Sequence, residues 1–399
     1  MGQKTRAGRR LFILIASAAL AAGYAAAQGQ DPKVLGFKKT FIVEIKNPSP
    51  LTLENHPVII DVAAIRASVA WDFNTYNYGL FEESGGNYNF VVSQPDDFDK
   101  DRYHDEIVLV RTLPPSSTTR LICYYSPDRS FRLMPTQKAL ARPAWEAGGP
   151  EAGWESNLAA YKFVHGRIGF YGKLQAGLIL NKLPAKENRP QDWGMDVLDA
   201  GESAGLGGLS LWDGAVRIPL FGASAPQAKL TVISPGPIRA LVKVEFGSVR
   251  TAAGEASVTA FLSAFADNAA SRHDILIASK AAGQVVYGPA LQKLAGETSS
   301  LDKAKGFLAV WGKGAADAGD VGLAVVFAPG ELSGIEETAV DHSVKLKGKF
   351  GVKQTHWVIG AWERGITTPG VPAAKNWPGK VESQARRLLV PVKVEFKAK

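Results

Sequence analysis

The sequence predicts an all-β fold of the sandwich type. Short apolar-alternating runs recur along the chain, among them "TFIVEIKN", "EIVLVRTL", "RALVKVEFG" and "THWVIGAWE". Each is bounded by Gly, Pro, Asn, Asp or Ser, the punctuation of antiparallel strands joined by turns. No long helical period and no fixed repeat interrupts them, which disfavours propellers and solenoids.

The chain opens differently. Four bases in "MGQKTRAGRR", the apolar "LFILIASAALAAGYAAA" and small residues before Gln28 form a secretory signal pattern over residues 1–27, which implies a periplasmic or secreted protein. No stable membrane insertion is expected after cleavage. From residue 28 to about 130 the runs fit a small β-sandwich. A Pro-, Gly- and charge-rich linker is expected at 131–152, and a larger β-sandwich over 153–399. One short helix is expected in "TPGVPAAKNWPGKVESQARRLL", starting near Asn376 or Pro378.

Charge excludes one class of partner. The full chain carries 46 Lys+Arg against 38 Asp+Glu, and without the four bases of the first 27 residues the excess is small. No basic run interleaved with aromatics exists, so nucleic acid is not an expected partner. Cys123 is the only cysteine. It lies in the apolar "RLICYY" and is expected as a buried hydrophobe; no intrachain disulfide can form.

Three local patterns carry chemistry. In "PDDFDKDRYHDE", Asp97, Asp99, Asp101 and Asp105 fall at positions 1, 3, 5 and 9 of a D-x-D-x-D loop, with the Tyr103 carbonyl at position 7; this spacing suits a structural calcium ion. Arg102 stands where such loops have glycine and Val108 where they have a bidentate acid, so a solvated acidic turn is the competing reading. Among the histidines none has zincin spacing, but His273 and His356 both open strand-like runs. "WGMDVLDAGESAGLGGLSLWDG" sets Trp193, Asp196 and Trp212 around a glycine-rich loop, and indole faces beside acidic edges suit sugars.

The stretch "GWESNLAAYKFVHGRIGFYGK" is the densest in functional groups. Regular alternation puts Tyr161, Phe163, His165 and Arg167 on one face and Lys162, Val164 and Gly166 on the other. Tyr161 and Lys162 then cannot line one cleft. Gly169 and Gly172 are expected to re-aim Lys173 by a turn or bulge.

This stretch, "SQPDDFDKDRYHDEIVLVRTL", "WGMDVLDAGESAGLGGLSLWDG", "PGPIRALVKVEF", "VGLAVVFAP" and "RRLLVPVKVEF" together resemble a secreted bacterial family of poorly characterised proteins from polysaccharide-degradation systems, related to an ulvan oligosaccharide dehydratase. The resemblance spans nearly the whole mature chain. It implies a galactose-mutarotase-like supersandwich and an oligosaccharide or polysaccharide substrate containing uronic acid. One departure is that family members carry Arg where this chain has Lys162.

β-Elimination from a uronate, of the dehydratase or lyase type, needs a base, a cation to neutralise the carboxylate and an acid for the leaving oxygen. By residue type, Tyr161 or His356 supplies base or acid and Lys173 or Arg239 holds the carboxylate. Glu155, Trp193, Asp196, Trp212 and His273 are the expected substrate contacts. A non-catalytic carbohydrate-binding protein and an aldose epimerase-like enzyme are the alternatives. Glycan, linkage and oligomeric state are not legible.

Overall fold

The computed structural model describes residues 31–33, 35–128, 136–144, 149–183, 190–251, 254–280, 282–367 and 374–399. The expected leader, residues 1–27, lies outside them. Among the described residues no helix is long and apolar enough to cross a membrane. Two compact units form, residues 1–137 with 391–399 and residues 138–390.

The first unit runs through β1 (Lys39–Asn47), β2 (Leu53–Asp61), helix α1 (Val62–Ser68), β3 (Tyr78–Ser84), β4 (Asn87–Val91), β5 (Gln94–Asp96), β6 (Glu106–Leu113) and β7 (Ser117–Tyr125). Period-2 burial builds its core: Phe41, Val43 and Ile45 of β1 are all buried on one face. The ring of Phe41 meets those of Phe73 and Tyr125 edge to face at 5.4 and 5.9 Å. Asp61 caps α1 by accepting from the Ala64 amide at 3.1 Å. Cys123 is buried, and burial pushes its thiol well above the usual range.

The second unit begins with β8 (Ala139–Pro143), β9 (Ala152–Ser156), β10 (Ala160–Val164), β11 (Arg167–Lys173) and β12 (Gly194–Asp196). Next come β13 (Leu206–Asp213), β14 (Val216–Pro219), β15 (Ala228–Pro235), β16 (Arg239–Thr251), β17 (Gly254–Phe265) and β18 (Ser271–Ser279). The remainder is β19 (Gln284–Gln292), β20 (Ala295–Asp302), β21 (Phe307–Lys313), β22 (Asp320–Phe327), β23 (Leu332–Glu337), β24 (Asp341–Lys349), β25 (Lys353–Trp362) and helix α2 (Trp377–Leu388). The last strand, β26 (Lys393–Ala398), pairs with β1 and so belongs to the first unit rather than to the large sandwich expected over 153–399. Likewise β8 occupies part of the segment read from sequence as linker.

In the second unit the eight-stranded sheet β15-β16-β17-β18-β25-β22-β21-β20 packs against two five-stranded sheets, β12-β11-β10-β9-β8 and β14-β13-β19-β24-β23. Every strand pair is antiparallel, and one continuous core joins Trp154, Phe163 and Phe170 with Leu211, Tyr287, Val325 and Trp362. The fold is an all-β sandwich, as the alternating runs predict. Large rings fit because facing positions are small: a Cβ on Gly360 would meet the Phe170 ring at 2.5 Å. Burying a side chain of that size contributes roughly 2–3 kcal/mol. Helix α2 starts at Trp377, with Asn376 at its N-cap and so near the expected start, and buries Trp377, Val381, Ala385 and Leu388, one stripe at helical spacing, on β21 and β22.

Candidate functional site

The site is built on the sheet β12-β11-β10-β9-β8, whose two faces have different duties. Tyr161 and Phe163 of β10 and Ile168 and Phe170 of β11 point into the core. Between the strands, His165 and Gly166 both take positive φ, 48° and 81°, and Val164 pairs directly with Arg167. This is a two-residue hairpin of the type that requires φ > 0 at both central positions. The turn changes the face on which Arg167 lies. Regular alternation placed it with Tyr161; the hairpin places it with Val164 and Lys162 on the outer face, because directly paired residues share a face.

Lys162 sits opposite Gly169 in the β10–β11 register, and Asp196 of β12 sits opposite Tyr171 of β11. A Cβ on Gly169 would lie 2.3 Å from Lys162 Cε and 2.8 Å from its Cγ. The missing side chain is therefore what lets Lys162 cross β11 and donate to Asp196 Oδ2 on the far strand. On the way its ammonium passes 5.1 Å from the centre of the Tyr171 ring.

Lys162, Arg167, Gly169, Asp196, Asp199 and Gly201 line a cleft of about 290 Å³, completed by small apolar residues including Val164, Ala200 and Ala315. Two buried polar atoms in its wall have no hydrogen-bond partner among the described residues: Arg167 Nε and Asp196 Oδ1. Leaving such atoms unmade costs about 1–3 kcal/mol each, more for charged groups. Arg167 reaches Glu202, an exposed residue, only at 3.5 Å. Burial raises the Asp196 carboxyl above the usual carboxylate range, and the Lys162 ammonium opposes that shift.

Glu155 and Lys173 lie on the same outer face but are closed off. Their side chains are fully buried and paired at 2.6 Å. Lys173 Nζ also donates to the carbonyls of Ser156 and Gly177 at 2.6 and 2.7 Å. The Glu155 carboxylate accepts from the amides of Ile179 and Leu180 at 2.9 and 2.8 Å. Every Lys173 proton is spoken for, so the pair pins the segment after β11 and offers nothing to a ligand. Burial pushes Glu155 up and Lys173 down, each opposed by its partner. No bulge re-aims Lys173: β11 stays in register through it. Gly172 instead faces the core, where a Cβ would meet the Trp362 ring at 2.4 Å.

The catalytic set read from sequence does not converge. Tyr161 is fully buried, stacks on Trp154 at 5.7 Å and donates to the Ala269 carbonyl. Its phenol is pushed far up by burial. His356 lies on β25 in the core of the eight-stranded sheet, opposite His273 of β18. Arg239, also buried, is next to the core-facing Ala240 on β16 and so points to the other side of that sheet. Packing and pairing, invisible to residue type alone, separate these groups.

Of the expected substrate contacts, only Asp196 lines the cleft. Trp193 is half-buried and packs edge-on to Tyr171 at 6.0 Å. Trp212, on another sheet, is 5% exposed, with Lys345 and Arg217 over its ring at 5.2 and 5.9 Å and Nε1 bound to Glu336 at 2.8 Å. Its faces are covered by cations and are closed to a sugar. Glu155 and His273 are fully buried. Conversely, Lys162, Arg167 and Asp199, which line the cleft, lie outside the catalytic and substrate-binding sets that residue type suggests. The "HG" turn was the available signal for Arg167.

The acidic loop keeps part of its expected geometry. Carboxylate oxygens of Asp97, Asp99 and Asp105 come within 4.8 Å of one another, a hard-oxygen set that fits a divalent cation, while Asp101 stays out of the group. Asp101 instead accepts from the Tyr103 amide at 2.7 Å. Asp97 accepts from the Lys100 and Arg102 amides at 2.6 and 3.0 Å, and Asp105 from the Phe98 amide at 2.7 Å. The loop thus closes through its own amides. Arg102 adopts φ 78°, the conformation for which glycine is usual at that position.

The family described as Domain of unknown function (DUF4861) matches residues 45–394, most of the chain and all of the cleft. The chain belongs to the DUF4861 family. Comparison with curated proteins finds no match. Among solved structures, this DUF4861 protein is similar to a protein in the glycosyl hydrolase family 38 from Enterococcus faecalis, with a TM-score of 0.52 and 10% identity over 90% of this chain and 48% of that one. An alpha-mannosidase from Enterococcus faecalis V583 aligns with a TM-score of 0.49 and 10% identity over 90% and 46%. The DUF4861 protein spans about half the length of these structures, and at such identity the first likeness speaks to the fold alone.

Proposed function

We propose that this DUF4861 protein is a carbohydrate-active enzyme that acts on uronic-acid-containing oligosaccharides by β-elimination in the Lys162–Arg167–Asp196 cleft. The observation that carries the reading is the pair of buried, unpartnered atoms in that cleft, Arg167 Nε and Asp196 Oδ1. One is a cationic donor suited to a carboxylate and the other an anionic acceptor suited to a proton. The resemblance to a uronate-processing family supports the substrate class, and the fold shared with a glycosyl hydrolase family 38 protein supports a carbohydrate ligand without favouring elimination.

In the proposed reaction Arg167 neutralises the substrate carboxylate, which acidifies the proton at C5. Asp196 Oδ1 takes that proton, and its raised pKa makes it a stronger base than an ordinary carboxylate. The C5–H electron pair forms the C4–C5 double bond as the C4–O bond breaks. Lys162, held beside Asp196, gives a proton to the departing oxygen. Asp199 takes hydroxyl groups. Tyr161, His356, Lys173 and Arg239 have no part in the step.

Incubating the protein with uronate oligosaccharides and following the ultraviolet absorbance of the conjugated unsaturated product tests the reading. Arg167→Ala is expected to lower kcat/KM about 100-fold or more, the scale for losing one preorganised charge-stabilising donor. Product without that absorbance would replace elimination by hydrolysis or epimerisation; saturable binding with no product would make the protein a binding module.

A further inference from the structure

Buried polar atoms without a hydrogen-bond partner among the described residues include both ring nitrogens of His273, both of His356, Tyr287 Oη and Glu331 Oε2. None of them lines the cleft: His273, His356 and Tyr287 face the core between the eight-stranded sheet and the sheet β14-β13-β19-β24-β23. The two histidines are fully buried and directly opposite each other on β18 and β25. Two imidazoles with four idle nitrogens are an expensive content for a core that is otherwise apolar.

Their spacing suggests what satisfies them. A tetrahedral ion about 2.0–2.1 Å from one nitrogen of each ring sets the two ring centres about 5 Å apart; His273 and His356 lie 5.1 Å apart, with ring planes at 74°. A phenolic oxygen on the same ion sets a tyrosine ring centre roughly 6 Å from an imidazole centre; Tyr287 lies 6.2 Å from His356. We propose that His273, His356 and the Tyr287 oxygen hold a divalent transition-metal ion of the zinc class in the core of the second unit.

Chemistry and charge support the assignment. Burial keeps both imidazoles in the neutral form that a metal requires. A doubly charged ion in the core needs negative charge nearby. Glu331, with its unpartnered oxygen, acts electrostatically on Tyr287, and Asp274 acts on both Tyr287 and His356. The site is distinct in ligand type from the Asp97–Asp99–Asp105 loop, which offers oxygen alone.

The test uses the whole protein purified without a histidine tag, stripped with chelator and loaded with Co(II) either in the native state or during refolding. Expected are one Co(II) per chain and the strong visible bands of four-coordinate cobalt. His273→Asn and His356→Asn should each weaken binding about 100-fold or more, while Asp97→Asn combined with Asp99→Asn leaves it unchanged. Tyr287→Phe, the least disruptive change, should shift the bands and keeps the test open if the histidine variants do not fold. Wild-type protein without bands, bands that persist in His356→Asn, or bands unaltered in Tyr287→Phe would overturn the proposal.

Discussion

Glu155 and Lys173 illustrate how burial decides what a charged residue does. With both side chains at 0% exposure and their polar atoms bonded, the pair is stable as a pair and costly as a single charge. Lys173→Ala is therefore expected to destabilise the second unit by about 3–5 kcal/mol, read from denaturant unfolding. The double change Glu155→Leu with Lys173→Met should recover most of that loss; a double variant as weak as Lys173→Ala would contradict the argument. A second consequence concerns acid. His356 is lowered to about 3 by burial, with Asp274 opposing, and His273 is also lowered well below the usual range. Between pH 6.5 and about 3 the unfolded chain binds protons that the folded chain refuses. Stability from these residues is thus fully present above pH 6.5 and is lost as pH falls, by roughly 1 kcal/mol per unit for each histidine. In chelator, His356→Leu should flatten that acid limb measurably.

Among the elements, the β10–β11 hairpin does most to create the site. Its His165–Gly166 turn brings Arg167 to the outer face, and Gly169 gives Lys162 its path to Asp196. Gly169→Ala places a carbon within 2.8 Å of Lys162 Cγ as well as Cε, so the stem rather than only the tip must move. The expected result is loss of the Lys162–Asp196 contact and about a 10-fold or greater fall in kcat/KM on uronate oligosaccharides, with thermal unfolding little changed. A large drop in Tm with the specific activity of the folded fraction intact would refute the role given to Gly169. Activity should also fall on the acid side at a higher pH than an ordinary carboxylate gives. Asp196 must be ionised to accept a proton, and its pKa is raised.

At the scale of the whole molecule, the sandwich class, helix α2 and the face-parting of Tyr161 and Lys162 were legible because period and punctuation are local properties. Convergence of the site was not. Arg167 changes face at a two-residue turn, and Trp212, His356 and Arg239 are assigned by partners far away in sequence. The same limit hid the return of the C-terminal strand. Residues 391–399 belong to the first unit, where β26 covers the edge of β1 over six paired positions, Phe41 with Ala398 through Lys46 with Lys393. Ion pairs Lys46–Glu395 at 2.5 Å and Lys397–Glu44 at 2.8 Å fix that register. Ending the chain at Val390 uncovers "TFIVEIK", a long apolar-alternating edge of the kind that pairs with other chains. Amides of β1 that β26 protects should then exchange about 100-fold faster or more, and the truncated protein should self-associate at concentrations where the full chain does not. Strands β16 to β18, wholly within the second unit, should keep their protection. Exchange that rises equally in β1 and β17 would mean that β26 supports both units rather than the first.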